Sequence, residues 1–235
     1  MKKIIILIAF FGAISFGFSQ NASEYFKAAN AFFNENVSNG KVAYSKIHNN
    51  PEALNKLVAL AETVSVSKND VKTYQAFWIN AYNISVIKGI VKNFPMKSPL
   101  DKAGFFDKTK YKIAGESITL NDIENKKLRA QFSDARFHFV LVCGAVGCPP
   151  LINKAYQPNT LEAQLQRQAE IALNNPSFIK IKKNNVELSE IFKWYKEDFV
   201  KNGNEIDYIN TFRIEKIPFK SKVSYYSYNW NLNKQ

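Results

Sequence analysis

TYQAFWINAYNISVIKGIVKNF, Thr73 to Phe94, is the stretch from which the rest of the chain is read. From Phe77 to Ile87 it is apolar nearly all round, and a helix without a polar face is buried on several sides. It begins near Asp70 and ends at Pro95, because the residue before a proline is driven out of helical geometry. Two amides interrupt its apolar surface. Asn80 and Asn83 lie three apart, hence on one face, and buried amides need partners. Their expected role is to pin this central helix to neighbouring backbone, with direct contact to a ligand as the alternative.

Around the central helix the sequence supplies both helices and hairpins. Ala22 to Val37 reads as a helix with Ser23 as cap. A second helix runs from Pro51 to Val64, with Asn50 as N-cap and the proline at its first position. These make an N-terminal helical segment, residues 20–68. Beyond Phe94, Tyr111–Ile113 and Glu116–Ile118 form a small hairpin about Ala114-Gly115. ITLNDIENKKLRAQF follows as a short helix, in which Asn121 and Glu124 have capping-box spacing. AYQPNTLEAQLQRQAEIALNN is an amphipathic helix with the same spacing at Asn159 and Glu162. Phe178–Ile181 and Val186–Leu188 form a second hairpin. Ser189 opens the helix LSEIFKWYKEDF, where Phe192, Trp194, Tyr195 and Phe199 read as packing, and Lys222 to Trp230 alternates as a last strand. The mixture predicts an α+β fold over residues 69–235, its buried central helix packed on a small mixed or antiparallel sheet.

One segment concentrates reactive side chains. DARFHFVLVCGAVGCPPL, Asp134 to Leu151, holds one of the chain's 2 histidines and both of its 2 cysteines. Phe137 to Val142 reads as a buried strand, Gly144 to Gly147 as a turn, and Pro149 and Pro150 forbid an immediate helix. On a regular strand His138 and Cys143 leave opposite faces. Cys148, beyond the turn, is therefore the expected partner of His138. His48, in the N-terminal segment, is expected at the surface.

The first residues form a leader pattern. Lys2 and Lys3 precede the uncharged apolar run Ile4–Phe18, and Gly17 and Ser19 suit cleavage before Gln20, so residues 1–19 read as a secretory signal peptide. The mature chain is then expected to be exported, periplasmic or secreted, with no transmembrane segment after cleavage. In that setting Cys143 and Cys148 have a disulfide open to them, one closing a very small loop. The formal charge is +12 at pH 7, but the lysines are spread along the chain and the arginines are four: Arg129, Arg136, Arg167 and Arg213. That describes a solvated basic surface and argues against a nucleic-acid partner.

Five blocks in order carry a family resemblance: WINAYN (Trp78–Asn83), TLNDIENKKLR (Thr119–Arg129), HFVLVCGAVGCPPL (His138–Leu151), LSEIFKWYKEDF (Leu188–Phe199) and YNWNLN (Tyr228–Asn233). Together, from about Tyr74 to Asn233, they resemble domain-of-unknown-function family 547, here as an exported bacterial member. The resemblance brings no activity with it, and the cysteine spacing is not the C-x-x-C of a redox motif. It implies that Asn80, Glu124, Arg129, His138, Cys143 and Cys148 are the positions to watch.

Two functional readings follow. In the first, Cys148 is the nucleophile of a hydrolase or acyltransferase acting on peptide or amide bonds, His138 its base, and Glu124 or Asn80 the group that orients the imidazole. Backbone N–H groups of the Gly144–Cys148 turn then hold the oxyanion, and Asn83, Arg129 and Cys143 support the site. In the second, the domain is a non-catalytic envelope module binding a peptide, glycan or partner protein. No cofactor is implied. A metal site of His138, Cys148 and Glu124 is a third and lesser alternative, since the spacing is not diagnostic.

Overall fold

The fold is set by the burial demand of its central helix. In the computed structural model, which describes residues 9–235 and side chains from Asn21 onward, every residue from Ala76 to Ile87 of α4 (Val71–Lys92) is buried. Asp70 starts the helix by accepting the Thr73 N–H at 3.2 Å. Of the expected leader, residues 1–8 lie outside the described residues and 9–19 are described only as helical backbone.

The N-terminal helices cover α4. They are α1 (Ala9–Asn36), α2 (Tyr44–Asn49), joined to α1 by the short hairpin β1 (Val37–Ser38) and β2 (Lys41–Val42), and α3 (Glu52–Thr63). α1 runs through Ser23 without a cap there, and α3 starts one residue after Pro51 with no side-chain cap. Tyr25, Phe33, Tyr44, Leu54, Phe77 and Trp78 share one core, so α1–α3 are packed into the same interior as α4. His48 is exposed, its Nδ1 3.0 Å from the Val91 carbonyl.

The first hairpin forms as read. β3 (Lys110–Ile113) and β4 (Glu116–Thr119) pair antiparallel with Ile113 opposite Glu116. Ala114 and Gly115 turn the chain at φ 51° and 73°, the paired left-handed geometry that suits the twist of a two-residue hairpin loop.

A mixed sheet lies elsewhere. β5 (Ile179–Lys182) pairs antiparallel with β6 (Asn185–Ser189), and β7 (Lys222–Tyr226) lies parallel on the other side of β6. Together with α6 (Leu161–Asn174) and α9 (Glu205–Phe212), it encloses a second core that includes Leu173, Val186, Leu188, Phe192 and Ile209. The class is α+β. Within it, α4 has mainly helical neighbours, and the three-stranded sheet belongs to the second core. Among the described residues no helix is long and apolar enough to cross a membrane.

The seam between the cores is where the expected strand fails to form. Ala135–Phe139 is a 3₁₀ helix, started by Asp134 accepting the Arg136 N–H at 2.9 Å, and the chain is irregular from Val140 to Cys143. Phe137 faces the first core, while Ala135 and Phe139 face the second. The run is apolar because it is buried on both sides, which a strand would also require. Its backbone is satisfied by Asn83 instead of a neighbouring strand: the amide donates to the Val140 carbonyl at 2.9 Å and accepts the Val142 N–H at 2.8 Å. Asn80 does the same for Tyr156, donating at 2.8 Å and accepting at 2.9 Å.

Candidate functional site

At the seam a cavity of about 380 Å³ is lined by Glu124, His138, Cys143 and Cys148, together with Tyr82, Trp194, Tyr195, Tyr228 and Trp230. Four of the seven expected site residues thus line one cavity. Asn80 and Asn83 stand behind it as braces on backbone, and Arg129 acts from the side.

Glu124 and Arg129 are placed by an unusual helix. α5 (Leu120–Asp122) is capped by Thr119, whose hydroxyl accepts the Asp122 N–H at 3.1 Å. The chain then widens into a π-helix, Ile123–Arg129. The expected capping box at Asn121 and Glu124 therefore does not form, because Thr119 has already taken the N-cap position. The i→i+5 repeat of a π turn brings residues five apart towards one side. Glu124 and Arg129 consequently both reach Tyr195. The Arg129 guanidinium lies 4.7 Å from the ring centroid, while burial, and then the Glu124 carboxylate, hold the Tyr195 phenol well above its ordinary range.

His138 is held at one ring nitrogen and by stacking. Its Nε2 is 2.7 Å from Asp198 Oδ2, in α8 (Lys196–Phe199), the short helix that follows α7 (Glu190–Trp194), and its ring stacks on Tyr195 with centroids 4.1 Å apart. Asp198 also accepts from Arg129 Nε at 2.7 Å. The hydrogen bond from His138, against some burial and with help from Arg129, holds the Asp198 carboxyl far below the usual carboxylate range. With Nε2–H donating to Asp198, Nδ1 is left as the free ring nitrogen, and Glu124 Oε1 is 3.9 Å from it. The carboxylate that orients the imidazole is thus Asp198. Glu124 sits at the opposite nitrogen, and Asn80 is occupied elsewhere.

The cysteines are free thiols, joined through a third residue. Tyr228 donates its hydroxyl to Cys148 Sγ at 3.0 Å and lies 3.1 Å from Cys143 Sγ. The Cys143 N–H donates to Cys148 Sγ at 3.0 Å. Burial alone pushes the Cys148 thiol up. Contacts from Cys143, the Tyr228 hydroxyl and the Ala145 and Cys143 backbone outweigh it and hold Cys148 below the ordinary thiol range. Burial and the neighbouring sulfur push Cys143 the other way. The pair therefore differs: Cys143 keeps its proton, while Cys148 accepts the hydrogen bond of the Tyr228 hydroxyl.

The C-terminal tail holds the turn that carries both sulfurs. Val146 and Gly147 N–H groups donate to the Asn231 and Asn229 carbonyls at 2.8 and 2.9 Å, and the Cys148 N–H to Ala145 at 3.2 Å. Three of the N–H groups expected as oxyanion donors in the Gly144–Cys148 turn are thus engaged by the fold. Gly144 sits at φ +84°, where a Cβ would lie 2.5 Å from Ile90 Cδ1, and a Cβ at Gly147 would lie 2.8 Å from the Tyr228 ring. Among the described residues no hydrogen bond joins His138 to either sulfur, and no group of three or more His, Cys, Asp or Glu side chains is placed to hold a metal ion.

Asp198, Tyr195 and Tyr228 are the partners that sequence reasoning did not single out. All three lie in the blocks LSEIFKWYKEDF and YNWNLN, where packing and the end of a last strand are read from the sequence. Residues 66–171 match the family described as Protein of unknown function, DUF547. This stretch belongs to domain-of-unknown-function family 547. The last two blocks of the resemblance, with Asp198 and Tyr228, fall beyond the matched residues of the family 547 segment. No curated protein and no solved structure matches the chain.

Proposed function

We propose that this is an exported thiol-dependent hydrolase or acyltransferase acting on peptide or amide bonds, with Cys148 as its nucleophile. The observation that carries the reading is that Cys148, though buried, is surrounded by donors that favour its thiolate, on the wall of a cavity that also holds His138. An inert buried cysteine is held protonated by its surroundings, as Cys143 is.

The active form has the thiolate at Cys148 and a proton on His138 Nδ1. Sulfur attacks the acyl carbon, and the Tyr228 O–H, released from the sulfur as its charge disappears, turns to the oxyanion. The C–N bond breaks as the amine takes the proton from Nδ1, leaving a thioester. Water, or a second amine, then attacks the thioester and gives its proton back to Nδ1 as the sulfur departs as thiolate. Asp198 holds the ring through both steps, and Glu124 lies beside the nitrogen that exchanges protons. Cys148 needs no hydrogen bond from His138 in this scheme.

One observation favours the alternative, a binding module: six aromatic side chains, Tyr82, Phe106, Trp194, Tyr195, Tyr228 and Trp230, line the cavity. The pH dependence of iodoacetamide labelling, with peptide mapping, decides between them. Catalysis requires Cys148 to react ahead of Cys143 at neutral pH or below. Labelling of Cys143 first, or of neither thiol until reductant is added, overturns the thiol chemistry and leaves the binding module.

A further inference from the structure

We infer that the pocket selects a cationic group, and that the substrate processed at Cys148 carries an alkylammonium of the lysine side-chain type beside the bond attacked; this rests on the placing of the active site in this cavity. The chain has 32 lysines and arginines against 20 acidic residues. Yet the charged residues lining the cavity are Asp107 and Glu124, with no lysine or arginine among them. Glu124 is 7 % exposed. Among the described residues it lies 3.9 Å from His138 Nδ1 and beside the Tyr195 phenol, and no lysine or arginine nitrogen comes within 4.0 Å of it. Arg129, one π turn further on, is held on Asp198 at 2.7 Å. A carboxylate taken out of water gains from each positive group brought to it, and the cavity leaves room for one to arrive with the ligand beside the His138 ring.

The aromatic side of the same cavity suits the same ligand. Trp194 and Tyr228 have centroids 5.0 Å apart, Tyr228 and Trp230 4.8 Å, and Phe106 and Trp230 6.2 Å, so these rings make one continuous wall. Trp194 remains 45 % exposed, unusual for a large aromatic with so many neighbours. Ring faces attract ammonium groups through their quadrupole. A neutral alkyl chain gains the ring contact but adds no charge to pair with Glu124; an anion meets two carboxylates. The alkylammonium alone satisfies both surfaces.

Binding is measured on the full-length Cys148→Ser protein by tryptophan fluorescence, titrating Nα-acetyl-lysine methylamide against Nα-acetyl-norleucine methylamide. The two ligands differ only in the terminal ammonium. Lysine is expected to bind roughly tenfold more tightly, a preference that added salt reduces. Glu124→Gln abolishes the preference, and Trp194→Ala, at an exposed position that does not threaten folding, weakens lysine binding several-fold. Equal binding of the two ligands, a response to neither, or a preference that survives Trp194→Ala undiminished overturns the inference. Turnover plays no part in this readout. A protein that prefers lysine without thiol chemistry refutes only the enzyme, and a reactive Cys148 without cation preference refutes only the ligand.

Discussion

Within the cavity, the family 547 segment contributes Glu124, His138, Cys143 and Cys148, whereas the chain beyond residue 171 contributes Trp194, Tyr195, Tyr228 and Trp230, with Asp198 behind the imidazole. The first set holds the groups that can carry charge or attack carbon. The second holds groups that decide which protons those residues keep: Asp198 fixes the imidazole, and Tyr228 lies between the sulfurs. Bracing follows a third pattern, because Asn83 supports the site loop from inside the segment. A reactive group and its tuning partner are thus brought together only by the closed fold, at sequence separations of 60 residues for His138–Asp198 and 80 for Cys148–Tyr228.

The largest effect is expected from breaking the brace. Asn83→Ala removes both bonds of the buried amide and leaves the Val140 carbonyl and the Val142 N–H without partners in the seam. Each unsatisfied buried group costs about 1–3 kcal/mol, so the loss from the two is about 2–6 kcal/mol. Urea unfolding should show it as a lower midpoint with an unchanged slope. A loss below about 1 kcal/mol means that the seam is held by the second core, and that the family 547 segment does not brace its own site.

What could be read from the sequence divides along similar lines. The central helix was legible because an all-round apolar pattern of that length has one stable outcome, and the hairpin at Ala114-Gly115 because its turn chemistry is local. Phe137–Val142 was misread since a short apolar run looks the same as a strand or as a 3₁₀ turn between two cores. The π-helix was hidden, as seven residues are too few to reveal a period, and the capping-box spacing at Asn121 and Glu124 offered a simpler explanation. His138, Cys143, Cys148 and Glu124 were found as unusual residue types in a motif. Their partners were not, because an aspartate closing an aromatic helix and a tyrosine in a tail carry no local mark of what they will face.

Asp198→Asn tests the tuning of the imidazole. The change keeps the shape and one acceptor but removes the charge shared by His138 and Arg129, at a cost of about 1–3 kcal/mol near neutral pH. The carboxyl is depressed in the folded protein, so its contribution is complete above the ordinary aspartate value of about 4 and is lost as the pH falls below that towards the folded value. Urea midpoints at pH 7 and pH 3 should therefore drop further for the wild type than for the variant. Parallel drops mean that Asp198 is not an ionised partner of the imidazole.

Tyr228→Phe should have the smallest effect on stability and the sharpest on chemistry. The ring that covers Gly147 and packs on Trp194 and Trp230 remains, and only the hydroxyl between the sulfurs is removed. Cys148 lies below the ordinary thiol range through several donors, of which this is one; without it the thiol rises and the labelling curve moves to higher pH. A rise of one unit lowers the thiolate fraction about tenfold at any pH well below both values. Iodoacetamide labelling of Cys148 at pH 7 should slow by about that factor, and the rates should converge in alkaline solution, where both proteins are fully ionised. The alkaline convergence separates a changed protonation state from a blocked approach, since a blocked thiol stays slow at every pH. An unchanged labelling profile would place control of the sulfur with Cys143 and the Ala145 backbone, inside residues 66–171. The C-terminal part of the chain would then supply walls to the cavity and leave its proton chemistry alone.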